Sequence, residues 1–338
     1  MAIPRIAVLG SLNIDLVAYV PHHPLPGETL TANSVAVSPG GKGANQAVAC
    51  AKLSRSRPSE SSSTSADDTA THATAHVSML GAVGDDTYGA LLRNNLAAHG
   101  VNVAGVSVRE GLKTGMAFIV VDAPTGQNRI ILSPEANHAL TAADVESSEL
   151  LWGGREDGKV VDLLIMQLEI PLGTVLAALR CAKTASVSVL LNPAPAQALP
   201  DEAFAGLAHL VVNETEAAML GGCEVSVLDD EDGLERVAAG FVAKGVRNVI
   251  ITLGGRGVYF MSEGGGGERK GLVAAEKATV VDTTAAGDTF VGQYALEAVV
   301  AEGAFDIEAA VRKANRASAR TVERAGAQDS IPWRDELL

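Results

Sequence analysis

RIAVLG, residues Arg5–Gly10, is a short, nearly unbroken apolar run that ends in glycine. A run of this length without polar alternation reads as a strand covered on both faces, the situation of a strand inside a parallel sheet. The same pattern returns at Val77–Leu80, Leu163–Gln167, Val187–Leu191, Leu210–Val212 and Val249–Leu253. Between these runs the apolar residues take helical spacing, at Gly43–Leu53, Tyr88–His99, Leu172–Lys183 and Leu234–Lys244. Alternation of this kind predicts an α/β fold with a doubly wound, mostly parallel central sheet, helices on both faces and right-handed crossovers.

Two regions break the rhythm. Residues Asp15–Ser38 and Thr114–Ser133 carry period-2 stretches such as Met116–Val121 and Arg129–Leu132, the second region around a Pro124-Thr125-Gly126 turn. They predict four short strands outside the main sheet, a lid over the carboxyl ends of its strands, where open α/β sheets bind ligands. Ser54–Ala75 is rich in Ser, Thr, Ala and Asp and almost free of large apolar residues. Such a composition cannot bury enough surface to order itself, so a disordered insertion is expected there. Gly264–Gly267 reads as the tip of a hairpin.

Composition narrows the function. The chain has 338 residues, 47% of them hydrophobic and only 4% aromatic, as suits one large α/β unit with a lid. With 26 Lys and Arg against 40 Asp and Glu, the formal charge is −14. An acidic surface repels nucleic acid and anionic membrane, so an anionic ligand has to be held by local features. The three cysteines, Cys50, Cys181 and Cys223, are far apart and read as reduced core thiols. The start of the chain runs directly into a strand and lacks a signal-peptide layout, and no apolar run approaches the ~18 residues of a membrane span. A cytoplasmic protein is expected.

The sharpest chemical signal is Asp282-Thr283-Thr284-Ala285-Ala286-Gly287-Asp288-Thr289-Phe290, followed by a helical run to about Glu302. Small residues at a helix start leave backbone N–H groups of Ala286, Gly287 and Asp288 free for a phosphate. A carboxylate in that first turn can accept a proton from a hydroxyl, although a plain N-cap is the simpler role for Asp288. Pro39-Gly40-Gly41-Lys42-Gly43-Ala44-Asn45-Gln46 also leads into a helix and offers close backbone approach, one cation and one amide. It is not a Walker P-loop, because Gly rather than Ser or Thr follows Lys42. Asn13 and Asp15 close the first strand, and Gln167-Leu168-Glu169 ends another on a carboxylate. Asn213-Glu214-Thr215-Glu216 and Thr252-Leu253-Gly254-Gly255-Arg256-Gly257 mark two further strand ends. GxGxxG spacing after the first strand, zinc patterns and GxSxG are all absent, which removes the dehydrogenase, zinc-enzyme and common hydrolase readings.

Taken together these residues resemble the PfkB-type carbohydrate kinase family. Both family signatures are present in order, as GGKGANQAVA (Gly40–Ala49) and DTTAAGDTF (Asp282–Phe290), with the blocks GSLNID, MQLEIP, LNPAPA, NETEA, TLGGRGV and GAQDSIPW. The likeness covers nearly the whole chain apart from Ser54–Ala75 and the Gly-rich loop. Within the family the blocks are most similar to the ribose-phosphorylating members, which implies transfer of the ATP γ-phosphoryl group to the 5-hydroxyl of D-ribose. A fructokinase, an adenosine kinase or a 2-keto-3-deoxygluconate kinase of the family is the alternative, and a catalytically silent sugar-binding protein on the same fold is the reading from another class.

The resemblance implies roles for individual residues. The sugar would be held by Asn13, Asp15 and Glu169 together with the Gly41-Lys42-Gly43-Ala44-Asn45 segment. Asp288 would be the base, with Ala286 and Gly287 forming the anion hole. ATP would lie along Asn213, the Thr252-Leu253-Gly254-Gly255-Arg256-Gly257 turn, Asn315, Gly287 and Asp288, and Glu216 would position Mg²⁺ through water. Asp282, Thr284, Thr321, Arg324, Gly326 and Ser330 match the family's K⁺ loop, mostly through backbone carbonyls. Asp329 stands where the family commonly has Pro, so that loop departs from the pattern at one position. Pairing of two chains through their lids is also implied.

Overall fold

The computed structural model describes residues 3–58, 73–153, 161–264, 267–300 and 305–337. Two sheets organise them. The larger has nine strands, and the run expected at Arg5–Gly10 is its strand β1 (Arg5–Leu9). Beside β1 lie β4 (His76–Gly84) and β8 (Leu163–Met166), both parallel to it. Strand β5 (Asn102–Arg109) forms the edge beyond β4. On the other side follow β9 (Ser188–Leu191), β10 (His209–Asn213) and β11 (Asn248–Thr252), again parallel. An antiparallel pair, β12 (Val258–Gly264) and β13 (Gly267–Val273), completes that edge.

The strand sequences explain the layering. Alternate side chains of a strand point to opposite faces. Ile6 and Val8 therefore enter one hydrophobic cluster, while Ala7 and Leu9 enter the other. Ile250 and its neighbours Val249 and Ile251 divide in the same way. The first cluster is filled by α1 (Lys42–Leu53), α2 (Thr87–Ala98), α6 (Ala286–Val300) and α7 (Ile307–Val322). The second is covered by α3 (Leu172–Thr184), α4 (Glu214–Gly221) and α5 (Glu231–Ala243). Asp86, Asp230 and Asp306 cap the amino ends of α2, α5 and α7 by accepting backbone N–H bonds.

The second sheet has four strands in the order β3 (Ser34–Gly40), β2 (Asn13–Val20), β6 (Gly115–Asp122) and β7 (Asn128–Ser133). Strand β2 follows β1 after only three residues, and β3 runs straight into α1. One end of the lid is thus tied to the carboxyl end of the central sheet by two short connections. Asn13 pairs with both Gly40 and Gly115 at that end.

Three elements differ from the sequence expectation. Strand β5 mixes apolar with polar and glycine positions and carries no continuous apolar run, and of the β12–β13 hairpin only the tip at Gly264–Gly267 is expected from the sequence. The expected insertion at 54–75 is narrower. Ser54 and Arg55 are buried, Arg55 Nε donates to the Ala51 carbonyl at 3.1 Å, and Thr74 N donates to the Ser54 carbonyl at 2.9 Å. Residues 59–72 of the stretch 54–75 lie outside the described residues, as do 265–266 within the glycine-rich loop and 301–304 after α6. No helix among the described residues is long and apolar enough to cross a membrane.

Candidate active site

The site forms where β1, β8, β9, β10 and β11 end and where α1 and α6 begin. Helix α1 has no side-chain N-cap. Gly41 precedes it at φ 88°, and a Cβ there would lie 2.7 Å from Asn13 N, so only glycine permits this approach. A Cβ on Gly43 would meet Ser11 N at 2.6 Å. The uncapped first turn therefore packs directly on the β1–β2 connection and turns its amides toward a carboxylate: Lys42 N donates to Glu169 Oε2 at 3.1 Å. The same oxygen accepts from Ser11 Oγ at 2.6 Å, and Asn13 Nδ2 reaches it at 3.5 Å. Ala44 and Asn45 follow in the helix, Ala44 donating its N–H to the Ser11 carbonyl at 2.9 Å.

Asp15 stands one lid residue beyond this group and is 8% exposed. Burial raises its carboxyl to about 7, helped by the negative charges of Glu169 and Asp288. Burial alone would lower the Lys42 ammonium, but Asp288, Glu169 and Glu216 reverse that effect and leave it raised. Lys42 is thus the cation held among these three carboxylates.

Asp288 lies in the first turn of α6, 8% exposed. Its Oδ2 accepts from Asn45 Nδ2 at 3.0 Å and its Oδ1 from Gln46 Nε2 at 3.0 Å. Ala285, just before the helix, holds a left-handed φ of 60°, a conformation uncommon for a residue with a side chain. Gly287 and Asp288 are in the turn whose N–H groups have no intrahelical partner. Ala286 differs from expectation: its N–H closes the preceding turn by donating to the Thr283 carbonyl at 3.3 Å.

A cavity of about 240 Å³ joins these groups to the ends of β10 and β11. Lys42, Asn213, Glu216, Thr252, Gly287 and Asp288 all line it. Asn213 and Glu216 cap α4 reciprocally: Glu216 N donates to Asn213 Oδ1 at 2.8 Å, and Asn213 N to Glu216 Oε2 at 2.9 Å. Burial raises the Glu216 carboxyl, partly offset by the Asn213 N–H and by Lys42. A larger cavity of about 350 Å³ lies elsewhere, against Leu53, Gln293 and Lys313, and gathers none of the motif residues.

The other expected nucleotide residues sit farther out. Leu253 is packed in the core, and Gly254, Gly255 and Arg256 form a single 3₁₀ turn. The Arg256 guanidinium is engaged by Glu214 and by the carbonyls of Leu228 and Asp229. Gly257 has φ 105°, and a Cβ would strike the Val273 carbonyl at 2.0 Å. Asn315 Nδ2 donates to the Ala274 carbonyl at 2.8 Å.

The two segments expected around a monovalent cation converge. Asp282 Oδ1 accepts from Thr284 N and Oγ1 at 2.9 and 2.6 Å, and its Oδ2 accepts from Gly326 N at 2.9 Å. Thr321 Oγ1 donates to Thr289 Oγ1 at 2.9 Å, Ser330 Oγ to the Ala327 carbonyl at 2.7 Å, and Arg324 to Glu336 at 2.8 Å. Among the described residues no three His, Cys, Asp or Glu side chains gather closely enough to hold a metal by themselves.

Sequence reasoning assigned no role to Ser11, Gln46, Asn192, Gln328 or Asn137. The first four stand inside the quoted motif blocks, which was the only signal for them. Asn137 lies in no block, yet it is buried and clips the β1–β2 connection through Leu12 N, the Leu12 carbonyl and Asn13 Oδ1.

A buried carboxylate at a helix start, a phosphate-sized cavity and a lid rooted in a polar cluster define a small-molecule kinase. The pfkB family carbohydrate kinase profile matches residues 4–334, and the chain belongs to that family. It is 42% identical to a ribokinase of Schizosaccharomyces pombe, covering 97% of this chain and 95% of the relative. It is 39% identical to a ribokinase of Haemophilus influenzae, covering 98% and 97%. A solved Arabidopsis thaliana ribokinase, complexed with ribose and ATP, superposes with a TM-score of 0.81 at 28% identity, over 100% of this chain and 98% of the other.

Proposed function

We infer that this protein is a ribokinase, transferring the γ-phosphoryl group of ATP to the 5-hydroxyl of D-ribose to give ribose 5-phosphate and ADP. The observation that carries the reading is the Asp288 carboxylate. It is buried at the start of α6, faces the cavity shared by Lys42, Asn213 and Thr252, and accepts from Asn45 on the helix that starts at the foot of the lid. Full-length likeness to ribokinases supports ribose as the acceptor.

In this reading Asn13, Asp15, Gly41, Lys42, Gly43, Ala44, Asn45 and Glu169 hold the sugar hydroxyls. Asp288 takes the proton of the attacking hydroxyl, and the first-turn amides with Gly287 receive the charge on the transferred group. Because the Ala286 N–H is already engaged by Thr283, Gly287 and Asp288 supply the free donors in this state. ATP lies along Asn213 and Thr252–Gly257 toward Asn315. Buried Glu216 faces the same cavity as Asp288 and fits a role in holding Mg²⁺ through water. Mg²⁺ would neutralise charge on the β- and γ-phosphates. Asp282, Thr284, Thr321, Arg324, Gly326 and Ser330 frame a K⁺ site, with Asp282 the single carboxylate among carbonyls, a donor set that suits a weakly hydrated ion.

Pairing of two chains through the lid belongs to the same reading. One face of the lid exposes Val35, Val37, Phe118 and Ile131, an apolar surface that pairing of two lids would cover. Light scattering at micromolar concentration should report a dimer, and a monomer alone would reject this assembly.

The test of the activity is ADP release measured across ribose, 2-deoxyribose, fructose, adenosine and 2-keto-3-deoxygluconate. The highest kcat/KM is expected with ribose. A different leading substrate would move the protein to another branch of the family, and no ADP release with any of the five would remove the kinase reading.

A further inference from the structure

Each oxygen of Asp288 is met by one side-chain amide, and each amide is itself held by another amide. On one arm, Asn95 Nδ2 donates to Gln328 Oε1 at 2.6 Å, and Gln328 Nε2 donates to Asn45 Oδ1 at 3.0 Å. On the other arm, Gln167 Nε2 donates to Gln46 Oε1. That leaves the Gln46 Nε2 group to donate to Asn192 Oδ1 at 2.9 Å and to Asp288 Oδ1 at 3.0 Å. Gln46 and Gln167 are fully buried, and Gln328 is 4% exposed.

An amide has a donor end and an acceptor end, so a chain of amides has a direction. Once Asn95 fills Gln328 Oε1, Gln328 can only present its N–H groups to Asn45. Asn45 must then spend its oxygen on Gln328 and aim its own N–H groups at Asp288. Gln167 orients Gln46 in the same manner. The far anchors are firm: Lys52 Nζ donates to the Gln328 carbonyl at 3.0 Å, and Asn192 Nδ2 donates to the Val211 carbonyl at 2.9 Å.

We propose that Gln46 and Gln328 are positioning residues for the base: two directional amide arms that clamp both oxygens of Asp288, so that its remaining lone pairs face the cavity before substrate arrives. The inference rests on the reading of Asp288 as the base. Its physical content is preorganisation, since a carboxylate free to rotate would meet the hydroxyl in the wrong geometry for most of the time.

Gln328→Glu exchanges one NH₂ for one oxygen at constant size and also introduces an ionisable group, so the uncharged Gln46→Met variant is read beside it. The new carboxylate can still accept from Asn95 but cannot donate to Asn45. Asn45 then turns its N–H groups away from Asp288 and points an acceptor at it. The variant is expected to lose roughly 10- to 100-fold in kcat, with the Michaelis constant for ATP within about threefold of the parent. Gln46→Met interrupts the other arm and should show the same division, which keeps the test decisive if one variant fails to fold. In an Asp288→Asn background neither change should lower the residual rate further. Parent-like kcat in folded Gln328→Glu and Gln46→Met, or an equal further loss in the Asp288→Asn background, would overturn the proposal while leaving the kinase reading intact. Near-normal turnover of Asp288→Asn itself would overturn the base assignment instead.

Discussion

Ser11 Oγ donates to Glu169 Oε2 at 2.6 Å, although the two residues are 158 positions apart in the chain. The bond joins the β1–β2 connection to the end of β8 and fixes one oxygen of a carboxylate assigned to the sugar. Ser11→Ala removes the donor in a buried place, at a cost of roughly 1–3 kcal/mol. The expected outcome is a several-fold higher KM for ribose with little change in that for ATP, read from initial rates with each substrate varied. Equal effects on both substrates would separate Glu169 from the sugar.

Asp288→Asn keeps the shape of the side chain and removes the proton acceptor. We expect kcat to fall by at least roughly 10²-fold, the low end of general-base contributions. Ribose affinity measured by calorimetry should stay within several-fold of the parent. Turnover near the parent rate would remove the catalytic role of Asp288.

Asp15 gives a pH signature in stability. Its folded carboxyl is raised to about 7 from an ordinary 3.8. The folded state therefore binds the proton more tightly than the unfolded chain, and stability falls as pH rises through that window. Asp15→Asn is free of this penalty. The difference in melting temperature, variant minus parent, should be larger at pH 8 than at pH 5 in the absence of ligands. The same variant should bind ribose more weakly at pH 8. A difference that does not change with pH would mean that Asp15 ionises freely in the folded protein.

Asp282 predicts a cation response. Its two oxygens tie Thr284 on one side to Gly326 on the other, so an ion seated among these carbonyls would stiffen the loop that carries Ala285–Gly287. Replacing K⁺ by Na⁺ or tetramethylammonium at constant ionic strength should lower kcat several-fold, and Asp282→Asn should abolish the difference. Identical rates in the three salts would remove the cation site and leave the kinase reading standing.

Much of the fold was legible because buried parallel strands leave long apolar runs, and β1, β8, β9, β10 and β11 each left one. Strand β5 was not, since exposed and polar positions break up its apolar residues; of the β12–β13 hairpin the tip was legible, while the buried run Val258–Met261 is too short to stand out. In the site, glycine and acidic motifs marked the backbone turns and carboxylates. The amide chain through Gln46, Gln167 and Gln328 left no local signal, because hydrogen bonds across 121 and 283 positions are made by the fold and not by spacing. The turn bond from Ala286 N to the Thr283 carbonyl leaves no sequence signal for a similar reason, since it depends on the left-handed Ala285, which no residue type announces.

The lid's attachment has one more consequence. Asn13 opens β2, Gly40 ends β3, and Gly115 opens β6, and all three pair at the same foot. The sheet is in effect a lever whose pivot holds Asn13, a residue proposed to grip the sugar. On that proposal its tilt and the width of the sugar site are one mechanical variable rather than two, and a stiffer or looser lid would register directly as a change in sugar affinity.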